Sequence, residues 1–411
     1  MALPPMSERY RRPDWVRRVN AMAAAAGGER AVVPIDAEDL LVTARASVGI
    51  DDGGGLGDGD WEGRFRALVA AIDASPLHVV GRLLTREELL RGLRTRLLLA
   101  ERRRREPAIA AEVVDDPIVV TGPARSGTTI LFELLGCDPG LRTPIATDVL
   151  HPAPPPGTSA AELTAMTEPE QELWADVQPE FAAIHELRSD LPVECITISA
   201  PSFAGGHWPM ILGDLGDWAP DATADLAFHK AVLQAVQHGR PPARWLLKTP
   251  GYLMMLDDLF AAYPRASVIQ THRDPAKTMP STVSTVAMVQ WLRTDAVDLE
   301  GTSLLIGAVF GDALATVARR RREGSLPDRF GDVRFADLMA DPTAAIAGAY
   351  EAIGRPFTDE HRRAVVDYLA AKPRGKHGIH RYTAADWGFD VDEVRAPLAD
   401  YLAEVGVALE A

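Results

Sequence analysis

The sequence predicts an α/β protein: a three-layer fold with a central parallel sheet, a helical extension on its N-terminal side and a helical insertion. Three observations predict it. Short apolar β-branched runs alternate with helix-length segments from Asp116 onward. The first of these runs ends in a glycine-bounded turn that opens directly into a helix pattern. Residues 1–115, by contrast, read as helices interrupted by breaks.

In the extension, Gly53 to Gly59 forms a glycine-rich loop flanked by aspartates, and TREELLRGLRTRLLLAERRRREP carries leucines at helical spacing among arginines. The basic run Arg102 to Arg105 reads as a solvated helix end, where cations meet the negative end of the dipole. An oligomer contact or a surface for an anionic partner is the alternative.

The α/β domain spans 116–411. PIVVTG gives its first strand and SGTTILFELLGCD the helix that follows. A second short strand is expected over Leu141 to Ala146, before the break HPAPPPG opens the helical insertion 153–240. ARWLLKTP, YLMMLDDLFAAYP and ASVIQTHRDP then read as strand, helix and strand. Helical sequence runs from Pro275 to about Arg322, and DVRFADLMADP is a short strand leading into the helix AAIAGAYEAIG. A polar, glycine-punctuated segment, 371–390, precedes a closing amphipathic helix. Strands joined by crossover helices imply a parallel sheet covered on both faces.

Composition narrows the functional classes. With 47% hydrophobic and 25% charged residues in 411, the chain has an ordinary globular make-up and can bury a sizeable core. Its net charge of −15 repels nucleic-acid backbones and anionic bilayers, so no nucleic-acid partner is expected and an anionic ligand needs a locally basic pocket. Cys137 and Cys195 are too few for a disulfide framework and lack zinc-site spacing, which predicts two reduced thiols. The basic N-terminus is followed by a short alanine run without a convincing cleavage site, and no uninterrupted apolar run is long enough to span a bilayer. A cytoplasmic protein without a membrane span is expected.

The strongest motif is Gly122-Pro123-Ala124-Arg125-Ser126-Gly127-Thr128-Thr129, between a predicted strand and a predicted helix. Such a loop aims backbone N–H groups at one point while the helix dipole adds positive potential there, which suits a phosphate. A nucleotide triphosphatase would carry lysine where Thr128 stands, and here the cation, Arg125, lies inside the loop. The arrangement suits a donor whose terminal group is a less charged sulfonate. Two other readings stay open at this point: a phosphotransferase using a nucleotide triphosphate, and a non-catalytic nucleotide-binding protein.

This loop resembles the 5′-phosphosulfate loop of the sulfotransferase superfamily, P-x-[KR]-S-G-[ST]-T, through Arg125, Ser126, Gly127, Thr128 and Thr129. The family's second motif, an arginine ending a strand and a serine eight positions later, is matched by Arg273 and Ser281. Arg374, Gly375 and Gly378 resemble its C-terminal R-K-G-x-x-G loop, with Lys376 displaced. The segment HGIHRYTAADWGFD, together with DLPVEC and HPAPPP, resembles the bacterial and mycobacterial-type branch.

The resemblance implies a P-loop-like fold and a sulfonate donor, 3′-phosphoadenosine 5′-phosphosulfate (PAPS), with 3′-phosphoadenosine 5′-phosphate (PAP) as product. It implies a hydroxylated small-molecule or glycolipid-like acceptor and no metal. Lys248 would stabilise the departing oxygen together with Arg125; Pro250 stands where the cytosolic branch has its catalytic histidine. For the general base the expectation is Asp148, placed after the second predicted strand, with His185 as runner-up.

Overall fold

The computed structural model describes residues 3–184, 186–372 and 382–410. Five strands form a single parallel sheet in the order β2-β3-β1-β4-β5: β1 (Ile118–Thr121), β2 (Leu141–Arg142), β3 (Arg244–Lys248), β4 (Ser267–His272) and β5 (Phe330–Arg334). Every residue of β1 and β4 is buried, as expected of strands covered on both faces.

Alternation of side chains sorts the strands into two cores. Ile118, Val120, Leu246 and Ile269 face the helix Thr128–Leu135 together with Ile346 and Tyr350. Val119, Leu247 and Val268 face the opposite layer, where Phe228, Leu233 and Leu314 are buried. These are the three predicted layers.

The predicted second strand is shorter than expected. Only Leu141 and Arg142 join the sheet; Ile145 instead bridges antiparallel to Pro192. Pro144 has no N–H to offer a ladder, and its carbonyl accepts from Val193 N (2.9 Å) while Ala146 N donates to Leu191 O (3.0 Å). This side pairing ties the insertion to the edge of the sheet.

The N-terminal extension packs as helices around a third cluster, in which Phe65, Leu89, Leu93 and Leu97 meet Trp208, Val283 and Met288. Its longest helix, Val79–Arg105, runs along the insertion. The glycine-rich loop is pinned by Asp58, which is buried against Arg96 (2.5 Å) and Arg64 (3.1 Å). The arginine run ends this helix as expected, and its members are engaged internally: Arg102 donates to Pro152 O, Arg103 to Gln234, and Arg105 to Glu101. Among the described residues one helix, Leu299–Arg322, is by length and composition apolar enough to cross a bilayer. Here its Phe310, Leu314 and Val317 pack into the core beside the sheet.

Candidate active site

The carboxyl end of β1 turns at Gly122, whose φ of 136° and closeness to β4 both require glycine: a Cβ would lie 2.3 Å from Thr271 Oγ1. Arg125 then adopts a left-handed φ of 65°, an unusual backbone state for a side chain of this size and common at functional turns. Gly127 caps the helix Thr128–Leu135. The first turn of that helix exposes N–H groups with no intrahelical partner, the arrangement that binds oxyanions.

Within the loop the residues divide their work. Ser126 is fully buried; its hydroxyl contacts Pro123 O and Thr271 Oγ1, both at 2.5 Å, and its N–H donates to Pro123 O (3.2 Å). The Ser126 hydroxyl is thus held against β4 and helps to shape the loop. Thr128 is buried, while Arg125 and Thr129 are exposed.

Lys248, the last residue of β3, is 2% exposed. Its Nζ donates to Thr129 Oγ1 (3.2 Å) and pairs with Glu194 Oε1 (2.8 Å). Arg273 follows β4, lies over the Phe335 ring (4.0 Å) and donates from Nη1 to Arg125 O (2.8 Å). Its Nε and Nη2 grip both carboxylate oxygens of Glu410 (2.6 and 2.8 Å). Burial lowers the guanidinium pKa, but Glu410 more than offsets this, so the pKa is raised. The structure therefore brings the loop together with Lys248 and Arg273, each of which lies more than a hundred residues beyond it in sequence.

Ser281 is fully buried on the helix Pro275–Trp291, and its Oγ has no hydrogen-bond partner among the described residues. It lies on the same helix face as Thr285 and Val289, which line the neighbouring cavity. Arg374, Gly375, Lys376 and Gly378 lie outside the described residues, as does the proposed alternative base His185.

That cavity, of about 430 Å³, adjoins the loop residues Ala124, Arg125, Gly127, Thr128 and Thr129 and reaches Glu194, Pro250 and Arg273. Its walls are mostly apolar and aromatic: Trp174, Phe181, Ile184, Leu187, Val193 and Met210 come from the insertion. Asp148 is not among the lining residues. The chain leaves the sheet at Arg142 and turns into the short helix Ala146–Leu150, where both carboxylate oxygens of Asp148 are held by Arg240 (2.6 and 2.8 Å). The expectation of Asp148 as base is corrected on this ground: it emerges beside a surface arginine, away from the loop.

Glu194, which the sequence reading did not single out, is a cavity-lining carboxylate set beside Lys248. The pairing of Leu191–Val193 with Pro144–Ala146 delivers it to the cavity between buried Val193 and Cys195. A lone carboxylate in the apolar run Leu191-Pro-Val-Glu-Cys-Ile was the available signal, since solvated glutamates seldom sit between buried neighbours. Burial pushes the Cys195 thiol up to about 12, so this neighbour stays protonated. Glu410 was also missed, because nothing local marks a glutamate so far along the chain as the partner of Arg273.

A parallel sheet with an oxyanion-binding loop after its central strand, faced by cations from both flanking strands, defines a P-loop-like α/β group transferase. The chain belongs to the sulfotransferase family, whose model matches residues 117–359. It is 27% identical over 302 residues to the omega-hydroxy-beta-dihydromenaquinone-9 sulfotransferase Stf3 of Mycobacterium bovis and to that of Mycobacterium tuberculosis, covering 68% of this chain and 75% of each relative. Among solved structures, sulfotransferase STF9 from Mycobacterium avium superposes with a TM-score of 0.75 at 24% identity, covering 92% of this chain and 98% of that one. Sulfotransferase STF1 from Mycobacterium tuberculosis H37Rv gives 0.68 at 27% identity, covering 88% and 98%.

Proposed function

We propose that this protein transfers the sulfonate group of PAPS to a hydroxyl of a largely apolar small-molecule acceptor, releasing PAP and requiring no metal. The observation that carries this reading is the convergence of Lys248 and Arg273 on one loop, through Thr129 Oγ1 and Arg125 O. The residues fit such a donor. Arg273 already grips a bidentate oxyanion, the Glu410 carboxylate, in the geometry in which a guanidinium receives a phosphate. With the unpartnered hydroxyl of Ser281 it would hold the 3′-phosphate. The first-turn N–H groups, Thr129 and Arg125 would hold the phosphosulfate.

In the reaction the acceptor oxygen forms a bond to sulfur as the bond from sulfur to the phosphate oxygen breaks, and PAP carries away the electron pair. Lys248 neutralises the charge that grows on that oxygen, an interaction strongest in the transition state. Glu194, beside Lys248 and open to the cavity, takes the proton of the acceptor hydroxyl. Apolar walls exclude water, which would otherwise compete as acceptor. The Mycobacterium relatives are named for a hydroxylated dihydromenaquinone, which accords with an alcohol on an apolar body.

Calorimetric titration with PAP, ATP and GTP, with and without magnesium, tests the donor. Magnesium-independent preference for PAP is expected; preference for ATP with magnesium would overturn the reading.

A further inference from the structure

The cavity carries a second polar centre, built from elements other than those that form the transfer centre. Glu88, from the helix Val79–Arg105, is 7% exposed; its Oε1 accepts from Arg293 Nη2 (2.5 Å) and Trp174 Nε1 (3.2 Å). Its Oε2 has no hydrogen-bond partner among the described residues; His207 Nε2 stands 3.8 Å away, beyond hydrogen-bond reach. His207 and Gln171 are 6% and 4% exposed, and His207 Nδ1 and Gln171 Oε1 are likewise without partners among the described residues. All three side chains line the cavity.

Buried polar atoms left unpaired are costly, and three around one cavity point to a polar group of a ligand seated among them. Two of them, Glu88 Oε2 and Gln171 Oε1, can only accept from a donor, while His207 Nδ1 serves either way according to tautomer. Burial alone would protonate Glu88, but Arg293 and then His207 outweigh it and hold its pKa at about 2, so the carboxylate keeps its acceptor character. The charges here cancel in pairs, Glu88 with Arg293 and Glu170 with Arg91 (3.3 Å), so the centre offers hydrogen bonds without a net charge to attract an ion.

We infer that the cavity reads its acceptor at two points: the hydroxyl to be sulfonated at Glu194 and Lys248, and a second, uncharged hydroxyl that donates its one proton to Gln171 Oε1 and accepts from His207 Nδ1, beside Glu88. The acceptor class is therefore an apolar molecule with two separated hydroxyls. This deepens, and rests on, the reading of the site as a sulfonate-transfer centre.

The test uses the full chain loaded with PAP and titrated calorimetrically with α,ω-diols of six to twelve carbons and the matching mono-alcohols. At one or more lengths the diol is expected to bind about 10-fold or more tightly, the worth of one buried hydrogen bond whose loss leaves its partner unpaired. Gln171→Met should bring that ratio close to one; His207→Phe provides a second reading should the first variant unfold. Equal binding at every length, no binding of either series, or a ratio that persists in both variants overturns the inference. Failure of the wild-type protein to bind PAP at all would instead overturn the donor reading, and the inference with it.

Discussion

Lys248 and Arg273 stand at the carboxyl ends of the two strands that flank β1, and each is met by a carboxylate, yet the two pairs differ in construction. Lys248 is 2% exposed, and its partner Glu194 comes from the insertion and opens into the acceptor cavity. Arg273 is 18% exposed and its partner Glu410, at 32%, comes from the far end of the described chain. Asp274 holds that segment in place by accepting from Glu410 N (2.8 Å) and Arg395. The buried pair joins the donor loop to the acceptor cavity. On the proposed function, the outer pair occupies an arginine that the 3′-phosphate would need, and its carboxylate would be a stand-in that a stronger oxyanion replaces.

The largest effect should come from Lys248→Met, which removes the charge while keeping much of the side-chain volume. A fall in kcat of about 10³-fold is expected with PAP affinity nearly unchanged, since the lysine's partner gains charge only as the bond breaks. Single-turnover kinetics beside PAP calorimetry checks this; near-normal turnover would erase the distinction between the two cations. Glu194→Gln retains an oxygen for Lys248 but cannot take a proton, and should slow the chemical step by about 10²-fold. If rapid-quench measurement shows an unimpaired step, the base lies elsewhere.

Arg273→Ala should act on binding instead of turnover. Loss of a charge-assisted phosphate contact costs about 2 kcal/mol or more, roughly 30-fold in PAP affinity. An analogue lacking the 3′-phosphate should bind wild type and variant alike. Equal weakening of both ligands would place Arg273 outside the 3′-phosphate site.

What the sequence made legible follows the same divide. The strand-loop-helix around Gly122 and the strand ends at Lys248 and Arg273 were readable because each is a local pattern: an apolar run, a turn residue, a polar residue at the edge. Both cations lie where that reading put them. The acidic partners were not readable, since a carboxylate becomes meaningful only through what tertiary folding sets beside it. Asp148 looked well placed if β2 ran on to Ala146; Pro144 ends the strand, and the side pairing with Leu191–Val193 delivers Glu194 instead. The nearness of Glu88 to His207 was hidden for a similar reason. They sit in different parts of the chain and meet only because the N-terminal extension packs against the insertion.

The smallest predicted effect is the most discriminating, because it makes the same substitution as at Glu194 and expects the opposite sign. Glu410→Gln removes the charge that competes for Arg273 while leaving an amide of equal size. A partly exposed ion pair is worth about 0.2–1 kcal/mol, and that energy must be given up before a phosphate takes the guanidinium. Releasing it in advance should tighten PAP binding by about 1.4- to 5-fold at low salt, without changing the rate of the chemical step. Salt screens the outer pair, so the gain should shrink as ionic strength rises, and calorimetry at two salt concentrations reads both parts. If Glu410→Gln weakened PAP binding, Glu410 would be positioning Arg273 for the phosphate instead of standing in for it. The two pairs would then be alike, each carboxylate being part of the working site.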